Sequence, residues 1–225
     1  MPEKSIVLLF IKAPFKGRVK SRLAAAVGEE AALDLYKNFI LDIIDALSTS
    51  GYPFTIFFYP PDAEETITTW LVGHPAAPQV GSDLGERMEL AFEKIFSEGF
   101  TRAILIGSDI PDLTPAVFHE ALESLNENDA VIGPAADGGY YMIGFNRKSF
   151  QPRIFRGIPW STDTVFRETM DIMQDSSLRV HLVPQWKDVD SLEDLKALFE
   201  RNRNTGFNQS LTMAYLMKNA YRLFH

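Results

Sequence analysis

The sequence predicts an α/β fold with a single, mostly parallel mixed sheet flanked by helices. Runs of branched apolar residues such as Ile6–Ile11 and Ala103–Ile106 are typical of strands buried on both faces of a parallel sheet. Segments with apolar residues at helical spacing alternate with these runs along the chain. The chain shows no internal repeat or low-complexity tract, so one doubly wound α/β domain is the simplest prediction.

Composition indicates a globular protein and excludes several kinds of site. Hydrophobic residues make up 46% of the 225 residues, which is enough for a packed core. The absence of cysteine excludes disulfides and thiolate chemistry. A net charge of −8 argues against a general nucleic-acid-binding protein. Residues Met1–Lys4 carry no apolar signal segment and no apolar run is long enough to span a membrane, so we expect a cytoplasmic protein.

A basic loop follows the first predicted strand. Five cations fall within eleven positions, and Pro14 and Gly17 mark irregular backbone before a helix that begins near Lys20 or Ser21. A strand, a cationic loop and a helix N-terminus together favour phosphate binding. The alternative is a solvated charged loop, since neither a Walker A nor a Rossmann glycine pattern is present. The cations are Lys12, Lys16, Arg18, Lys20 and Arg22.

The next elements are predicted to be mainly structural. A helix continues past a break at Gly28, the segment Pro53–Tyr59 predicts a strand, and Asp62 is expected to begin a helix with Glu65 as its capping partner. We expect a loop over residues 74–78. The core stripe of the long helix is Ala32, Leu35, Phe39, Ile43 and Leu47.

Residues 79–85 form a loop that contains two glycines. Asp83 and Glu86 have the spacing of a helix capping box, and we favour that structural role for Asp83. Gln79 and the glycines, including Gly85, could instead approach a flat ligand such as a base. On spacing alone this is a weak indication.

Asp109 ends the most apolar predicted strand. Pro111 keeps Ile110 extended, so the chain cannot turn directly into a helix there. Ligands of open α/β sheets bind outside the carboxyl ends of the strands, so Asp109 is placed to hold a metal ion or a polar ligand. The alternative is that Asp109 caps the following turn. Thr114 is expected to cap the next helix through its hydroxyl, before Pro115 at the first helical position.

Three later segments carry polar residues next to predicted strands or helices. Asp137 with Gly138 and Gly139 suits either a close approach to a ligand or a tight turn into a strand, and the residues do not decide between the two. Ser161 or Thr162 is expected to cap a helix. Other expectations are a last strand over 179–184, a Ser191–Asp194 helix start, and Asp190 facing the same crevice as Asp109.

We predict a main domain over residues 1–203 and a C-terminal helix within residues 204–225. The apolar positions of Leu211–Phe224 have helical spacing and follow a polar stretch. This helix is expected to pack on the domain or on a second subunit, so a homodimer is one of the two arrangements that we consider.

Six motifs in a fixed order resemble a known protein family. They are Lys12-x-Pro14-x-x-Gly17-x-x-Lys20-x-Arg22-Leu23, Asp83-Leu84-Gly85-x-Arg87-Met88, Gly107-Ser108-Asp109-x-Pro111-x-Leu113, Asp137-Gly138-Gly139-Tyr140, Trp160-Ser161-Thr162 and Asp188-Val189-Asp190. Across Ser5 to Phe199 the chain is similar to the bacterial glycosyltransferase-like family of unassigned substrate in the nucleotide-diphospho-sugar transferase superfamily. That family is related to 2-phospho-L-lactate guanylyltransferase.

The resemblance implies a glycosyltransferase A-type fold that binds a nucleoside triphosphate or a nucleotide-sugar and acts on a small-molecule acceptor. It implies that Asp109 and Asp190 share Mg²⁺ or Mn²⁺, with Lys20 as a further catalytic residue. The implied nucleotide-binding residues are Lys12, Lys16, Gly17, Arg18, Lys20, Arg22, Gln79 and Gly85. The implied acceptor-binding residues are Asp137, Gly138, Gly139, Tyr140, Trp160, Ser161 and Thr162.

One departure from the family's relatives bears on the reaction. Sugar-transferring relatives carry Asp-x-Asp at the end of the central strand, whereas here Gly107 stands two positions before Asp109. This favours nucleotidyl transfer over glycosyl transfer. The glycine-rich first loop of molybdenum cofactor guanylyltransferase, a more distant relative of the family, is also absent, so a preference for guanine is not implied. The alternative hypothesis is a nucleotide-binding sensor or partner protein that has lost catalysis.

Overall fold

The computed structural model describes residues 4–224, and within them seven strands form one sheet. The strands are β1 (Ser5–Lys12), β2 (Phe54–Tyr59), β3 (Ala76–Pro78), β4 (Arg102–Ile106), β5 (Ala130–Pro134), β6 (Tyr140–Asn146) and β7 (Val180–Leu182). Their order across the sheet is β3-β2-β1-β4-β6-β5-β7. Strand β6 runs antiparallel to β4 and β5, and the other neighbouring pairs are parallel. The predicted α/β fold with a mostly parallel mixed sheet is confirmed.

Helices follow most of the strands, as expected for parallel crossover connections. They are α1 (Ser21–Val27), α2 (Glu29–Ser50), α3 (Glu64–Trp70), α4 (Leu84–Ser97), α5 (Pro115–Ser124), α6 (Val165–Asp175), α7 (Leu192–Asn202) and α8 (Leu211–Phe224). Short 3₁₀ turns cover Pro61–Ala63, Pro152–Phe155 and Gly206–Gln209. No helix within residues 4–224 combines the length and apolar character needed to cross a bilayer.

Successive side chains of β1 point to opposite faces of the sheet, and each face is covered by its own hydrophobic cluster. Leu9 and Ile11 point into a cluster shared with helices α2 and α5. Leu8 and Phe10 point into a second cluster, formed with α4, α6 and the 3₁₀ turn at Pro152–Phe155. Because side chains of a strand alternate between its faces, a strand covered on both faces has to be apolar throughout. Residues 5–11 of β1 are all buried.

A third cluster is formed by helices and by the segment that precedes α7, with no residue from the described strands. Leu23 of α1 and Phe39 of α2 are fully buried there together with side chains of α7 and α8. Met213, Leu216 and Leu223 are the buried residues that α8 contributes. Helix α8 therefore packs on α2 and α7 of its own chain, while the division of the chain at residue 203 stays a prediction.

Several local predictions were wrong. Residues 76–78, predicted as loop, form edge strand β3, which pairs with β2 from Ile56 to Phe58. Asp62 lies in a 3₁₀ turn, and α3 begins at Glu64 without a side-chain cap. Thr114 occupies the cap position of α5, but its hydroxyl makes no capping hydrogen bond.

The other predicted caps differ in outcome. Helix α6 begins at Val165 after Thr164, so Ser161 and Thr162 do not cap it. The capping box of Ser191 and Asp194 is confirmed. Asp83 caps α4 by accepting a hydrogen bond from the Glu86 N–H at 2.8 Å, as predicted. The Glu86 carboxylate accepts from Ser82 instead of from Asp83, so that capping box is only half formed.

Candidate active site

A cavity of about 700 Å³ lies at the carboxyl ends of β1, β2 and β4. This edge of an open α/β sheet is where ligands bind, because the loops that follow the strands converge there. The predicted site residues that line the cavity are Lys12, Lys20, Arg22, Gln79, Asp109, Asp137, Gly139, Tyr140, Trp160, Ser161, Thr162 and Asp190. Tertiary structure thus brings together residues that are up to 178 positions apart, from Lys12 to Asp190.

The ammonium group of Lys20 organises the centre of the cavity. Lys20 Nζ forms an ion pair with Asp109 and another, at 3.0 Å, with Asp190. It also donates a hydrogen bond of 2.7 Å to the carbonyl of Val189. The Lys20 side chain is only 3% exposed, whereas that of Asp109 is 49% exposed and faces the cavity. Lys20 has a left-handed backbone (φ 49°) immediately before α1.

These ion pairs keep Lys20 and Asp109 charged. Burial would lower the pKa of Lys20, but the charges of Asp109 and Asp190 outweigh it and raise that pKa above its ordinary value. Loss of hydration inside the cavity would raise the pKa of Asp109, but the charge of Lys20 lowers it below its ordinary value. The pair is therefore an ammonium and a carboxylate near neutral pH.

Two more cations border the same part of the cavity. Arg22 Nη2 contacts Asp190 Oδ2 at 2.6 Å, and its side chain is 75% exposed. Lys12 is exposed at the end of β1. The hydroxyl of buried Tyr36 accepts a hydrogen bond from the Lys12 N–H (2.8 Å) and donates one to the Lys12 carbonyl (2.9 Å). These bonds fix the backbone at the point where β1 ends.

The outer part of the basic loop does not line the cavity. Lys16 pairs with Glu30 at 3.4 Å on the surface, and Gly17 lies beside Glu29. The Arg18 guanidinium lies 5.9 Å from the centre of the Phe15 ring. Of the five cations in the loop, Lys12, Lys20 and Arg22 face the cavity, while Lys16 and Arg18 do not.

The end of the cavity beside β2 and β3 carries flat and polar groups. The Arg87 guanidinium lies 3.8 Å from the centre of the Tyr59 ring, and both residues line the cavity. Gln79 is buried next to them. Gly85 does not line the cavity, because α4 is packed so closely there that a Cβ would collide with the Phe155 carbonyl and the Trp160 ring.

The opposite end is built from the later loops. Asp137 Oδ1 accepts a hydrogen bond from the Gly139 N–H at 2.9 Å, which closes the turn into β6. Gly138 has φ +90°, and a Cβ there would collide with the Asp163 backbone, so this glycine has a packing role and does not line the cavity. The rings of Tyr140 and Trp160 meet edge to face with centroids 6.4 Å apart.

Asp188 is a cavity residue whose importance the sequence did not show. Its side chain lies in the same carboxylate-rich region as Asp109, Asp137 and Asp190. Burial, together with the charges of those three carboxylates, raises the pKa of Asp188 to about 7. The alternation Asp188-Val189-Asp190 could have indicated it, because positions i and i+2 of an extended segment share a face. Asp163 and Arg87 also line the cavity and were not predicted as site residues.

Within residues 4–224, no three histidine, cysteine or acidic side chains are grouped so that they alone could hold a metal ion. The predicted pair Asp109 and Asp190 is brought together, but by the shared ammonium of Lys20. Chemically, the cavity offers Lys12 and Arg22 for an anionic ligand at one side. It offers carboxylates and aromatic rings for a second ligand at the other.

Comparison with known proteins gives one family and several similar folds. The profile of a bacterial family described as "Uncharacterized protein conserved in bacteria (DUF2064)" matches residues 43–162, which is more than half of the chain. A crystal structure from Desulfovibrio desulfuricans G20, provisionally described as a nucleotide-diphospho-sugar transferase, is 41% identical. The alignment covers 98% of this chain and 97% of that chain with a TM-score of 0.95.

Two more distant structures share the fold. CMP:2-keto-3-deoxy-manno-octonic acid synthetase complexed with CTP is 13% identical, with 88% of this chain and 99% of that chain covered and a TM-score of 0.51. Rv0371C of Mycobacterium tuberculosis H37Rv in complex with manganese is 16% identical, with 88% and 98% covered and a TM-score of 0.52. At these identities the likeness shows the nucleotide-diphospho-sugar transferase fold.

Proposed function

The chain belongs to the bacterial protein family DUF2064, and we propose that it is a transferase. In this proposal it binds a nucleoside triphosphate or a nucleotide-sugar and transfers a nucleotidyl or glycosyl group to a small acceptor. The observation that carries the proposal is the convergence of Lys12, Lys20 and Arg22 with Asp109 and Asp190 in one cavity at the carboxyl edge of the sheet. The provisional description of the 41% identical relative supports the same class of enzyme.

The residues at the centre fit a divalent cation such as Mg²⁺ or Mn²⁺. Asp109 and Asp190 both contact the Lys20 ammonium, so the two carboxylates lie side by side at the cavity and could hold a cation together next to Lys20. Mg²⁺ in phosphate-transferring sites is commonly held by one or two carboxylates plus substrate phosphates, so two carboxylates are enough. When bound, the ion would neutralise and polarise phosphate oxygens. The manganese complex of the similarly folded Rv0371C supports this choice.

The chain's own residues would bind and position the two substrates. Lys12 and Arg22 would neutralise phosphate charge at the mouth of the cavity, while Lys20 holds Asp109 and Asp190 in place. The acceptor would lie against Tyr140 and Trp160. Positioning and electrostatic stabilisation supply most of the rate acceleration in such reactions, so no covalent intermediate with the protein is required.

We favour nucleotidyl transfer, because Gly107 stands where sugar-transferring relatives carry an additional aspartate. The acceptor oxygen would form a bond to the α-phosphorus, and the bond from that phosphorus to the bridging oxygen of the leaving pyrophosphate would break. The acceptor's proton would leave to solvent or to a carboxylate of the cavity. Glycosyl transfer from a nucleotide-sugar, with release of a nucleotide, is the second candidate.

A thermal-shift panel tests the choice of donor. The four ribonucleoside triphosphates and common nucleotide-sugars are each added with and without Mg²⁺, because a ligand that binds the folded state raises the unfolding midpoint. A Mg²⁺-dependent shift with a triphosphate supports nucleotidyl transfer, and a shift only with a nucleotide-sugar supports glycosyl transfer. Binding without turnover on any acceptor would favour the sensor or partner hypothesis, and no shift at all would contradict the proposal.

Substitution of Asp109 tests the centre of the site. We expect Asp109→Asn to lower metal-dependent turnover by about 100-fold or more. The reason is that the substitution removes the negative charge that pairs with Lys20 and would hold a metal ion. The change keeps the size of the side chain, and the unfolding midpoint monitors the fold. Asp62→Asn, at an exposed position away from the cavity, removes the same charge as a control. Wild-type turnover in Asp109→Asn would remove Asp109 from the mechanism.

A further inference from the structure

The carboxylate of Asp112 accepts four hydrogen bonds from side chains that are distant in sequence. The Arg201 guanidinium donates from Nε at 2.7 Å and from Nη2 at 2.9 Å. Asn202 Nδ2 donates at 2.7 Å, and Trp186 Nε1 donates at 3.2 Å. The Asp112 side chain is only 5% exposed, and it does not line the candidate active-site cavity. Because a forked arginine contact fixes both oxygens of a carboxylate, Asp112 and its donors form a rigid cluster.

This cluster holds the chain segment that carries Asp188 and Asp190. Trp186 lies two residues before Asp188. Arg201 lies in the last turn of α7, the helix that begins two residues after Asp190. A helix behaves as a stiff element, so fixing its last turn also restricts where its first turn can lie. Asp112 therefore restrains the segment through the residue before it and through the helix after it.

Asp112 belongs to the same loop as Asp109, with Pro111 between them. The proline ring fixes one backbone dihedral, so the loop has little freedom between the two carboxylates. On the side of the active-site cavity this loop meets the segment directly, because the Val189 N–H donates to the Asp109 carbonyl at 2.9 Å. On the far side, Asp112 lines a second cavity of about 950 Å³. Loop and segment are therefore joined at two points, the backbone of Asp109 and the side chain of Asp112.

We infer that Asp112 is a positioning residue that holds Asp190 beside Asp109, so that both carboxylates can bind one divalent cation next to Lys20. The inference rests on the proposed function, since the cation is part of that proposal. Loss of the Asp112 charge would remove the acceptor that its donors share. The segment with Asp190 would then lose one of its two links to the Asp109 loop. Replacing residues that orient metal ligands commonly weakens metal binding by about 10- to 100-fold.

The test separates metal binding from phosphate binding. Dissociation constants for inorganic tripolyphosphate are measured by calorimetry, with Mg²⁺ and with a chelator, well below the unfolding midpoint of each protein. We expect the wild-type protein to bind tripolyphosphate more tightly with Mg²⁺. Asp112→Asn should weaken binding with Mg²⁺ by about 10-fold or more. Binding with the chelator should stay within about twofold of wild type, because Lys12 and Arg22 remain in place. A merely structural role would lower the unfolding midpoint without producing this difference.

Glu89→Gln is the matched control for breaking a buried contact between a carboxylate and an arginine. Glu89 is 8% exposed and accepts from Arg156 Nη2 at 2.8 Å and from Nε at 3.3 Å, outside both cavities. This variant should lower stability and leave the effect of Mg²⁺ unchanged. Trp186→Phe removes one donor to Asp112 and keeps an aromatic ring. We expect it to weaken binding with Mg²⁺ by about threefold.

The outcomes distinguish the inference from the proposed function. If Mg²⁺ strengthens binding equally in wild type and Asp112→Asn, or if Glu89→Gln loses the effect as well, the positioning role is wrong while the proposed function stands. If Asp112→Asn does not fold, Trp186→Phe decides, and an unchanged effect of Mg²⁺ overturns the inference. If Mg²⁺ does not strengthen binding to wild type, the inference falls together with the proposed metal. If wild type binds no tripolyphosphate, the proposed phosphate site falls too.

Discussion

At the scale of single residues, the site depends on one buried ammonium group. The Lys20 ammonium loses its hydration on burial, and its contacts with two carboxylates and with the Val189 carbonyl replace that hydration. A buried ion pair is often nearly neutral for stability as a whole, but removing one partner leaves the other charge uncompensated. Within the basic loop, Lys20 therefore has a structural role at the centre of the cavity. Lys12 and Arg22, at the border of the cavity, are available to a ligand.

Asp188 gives the site a dependence on pH. Its pKa is raised to about 7, from about 4 in an unfolded chain, by burial and then by Asp109, Asp137 and Asp190. A carboxyl group whose pKa rises on folding contributes stability below pH 4 and loses that contribution as the pH rises through about 7. Ionised Asp188 should therefore destabilise the metal-free protein at pH 8.

We expect Asp188→Asn to raise the free energy of unfolding by about 1–3 kcal/mol at pH 8 and to change it little at pH 4. Urea unfolding in the presence of a chelator at the two pH values measures the difference. Asp62→Asn is the matched control, since it removes an exposed carboxylate. An equal effect of Asp188→Asn at both pH values would show that the pKa of Asp188 is not raised.

At the scale of elements, helix ends are held by side chains that are distant in sequence as well as by neighbouring residues. Ser191 and Asp194 form a local capping box at α7, which adjacent residues were sufficient to predict. The start of α8 is held by Asp42 on α2, whose carboxylate accepts hydrogen bonds from the Leu211 and Thr212 N–H groups, both at 2.9 Å. This contact docks the C-terminal helix on the domain.

Replacing Asp42 tests that contact. We expect Asp42→Ala to lower the free energy of unfolding by about 1–3 kcal/mol, because two N–H groups lose a charged acceptor in a largely buried place. Asp45→Ala, one helical turn away and exposed, is the control and should cost less than about 0.5 kcal/mol. Equal costs in denaturant unfolding would mean that Asp42 does not hold α8.

At the scale of the whole molecule, three hydrophobic clusters support the cavity. Two cover the faces of the sheet, and the third joins α1, α2, α7 and α8. The third cluster holds Leu23 of α1 and Val189 beside Asp190, so it supports both chain segments that meet at Lys20. Helix α8 thus contributes to the packing behind the site.

Adjacent residues of α8 distinguish packing on the domain from packing on a second subunit. Leu216 is fully buried within its own chain, and Met217 is 50% exposed. We expect Leu216→Ala to cost about 2–5 kcal/mol and Met217→Ala less than about 0.5 kcal/mol. Thermal unfolding and sedimentation velocity measure stability and mass. If the wild-type protein sediments with the mass of a dimer and Met217→Ala lowers that mass, the exposed face of α8 is a subunit interface.

The fold was predictable because its strongest signals are local. Continuous apolar runs such as Ile6–Ile11 are expected only for strands buried between two helical layers, and helical spacing identified α2 and α8. Strand β3 was missed because it has three residues, two of them alanines, and is defined by pairing with β2. Ser161 was misassigned because its left-handed backbone (φ 69°) belongs to the cavity wall and not to a helix start.

The sequence by itself determined the α/β fold, the edge of the sheet where the cavity lies, and twelve of the residues that line the cavity. Tertiary structure decided which cations of the basic loop face inward, that Lys20 lies between Asp109 and Asp190, and that Asp188 joins their carboxylates. The physical reason is that apolar periodicity is a property of neighbouring residues. Charge pairing and pKa shifts depend on distances between residues that only the folded chain brings together.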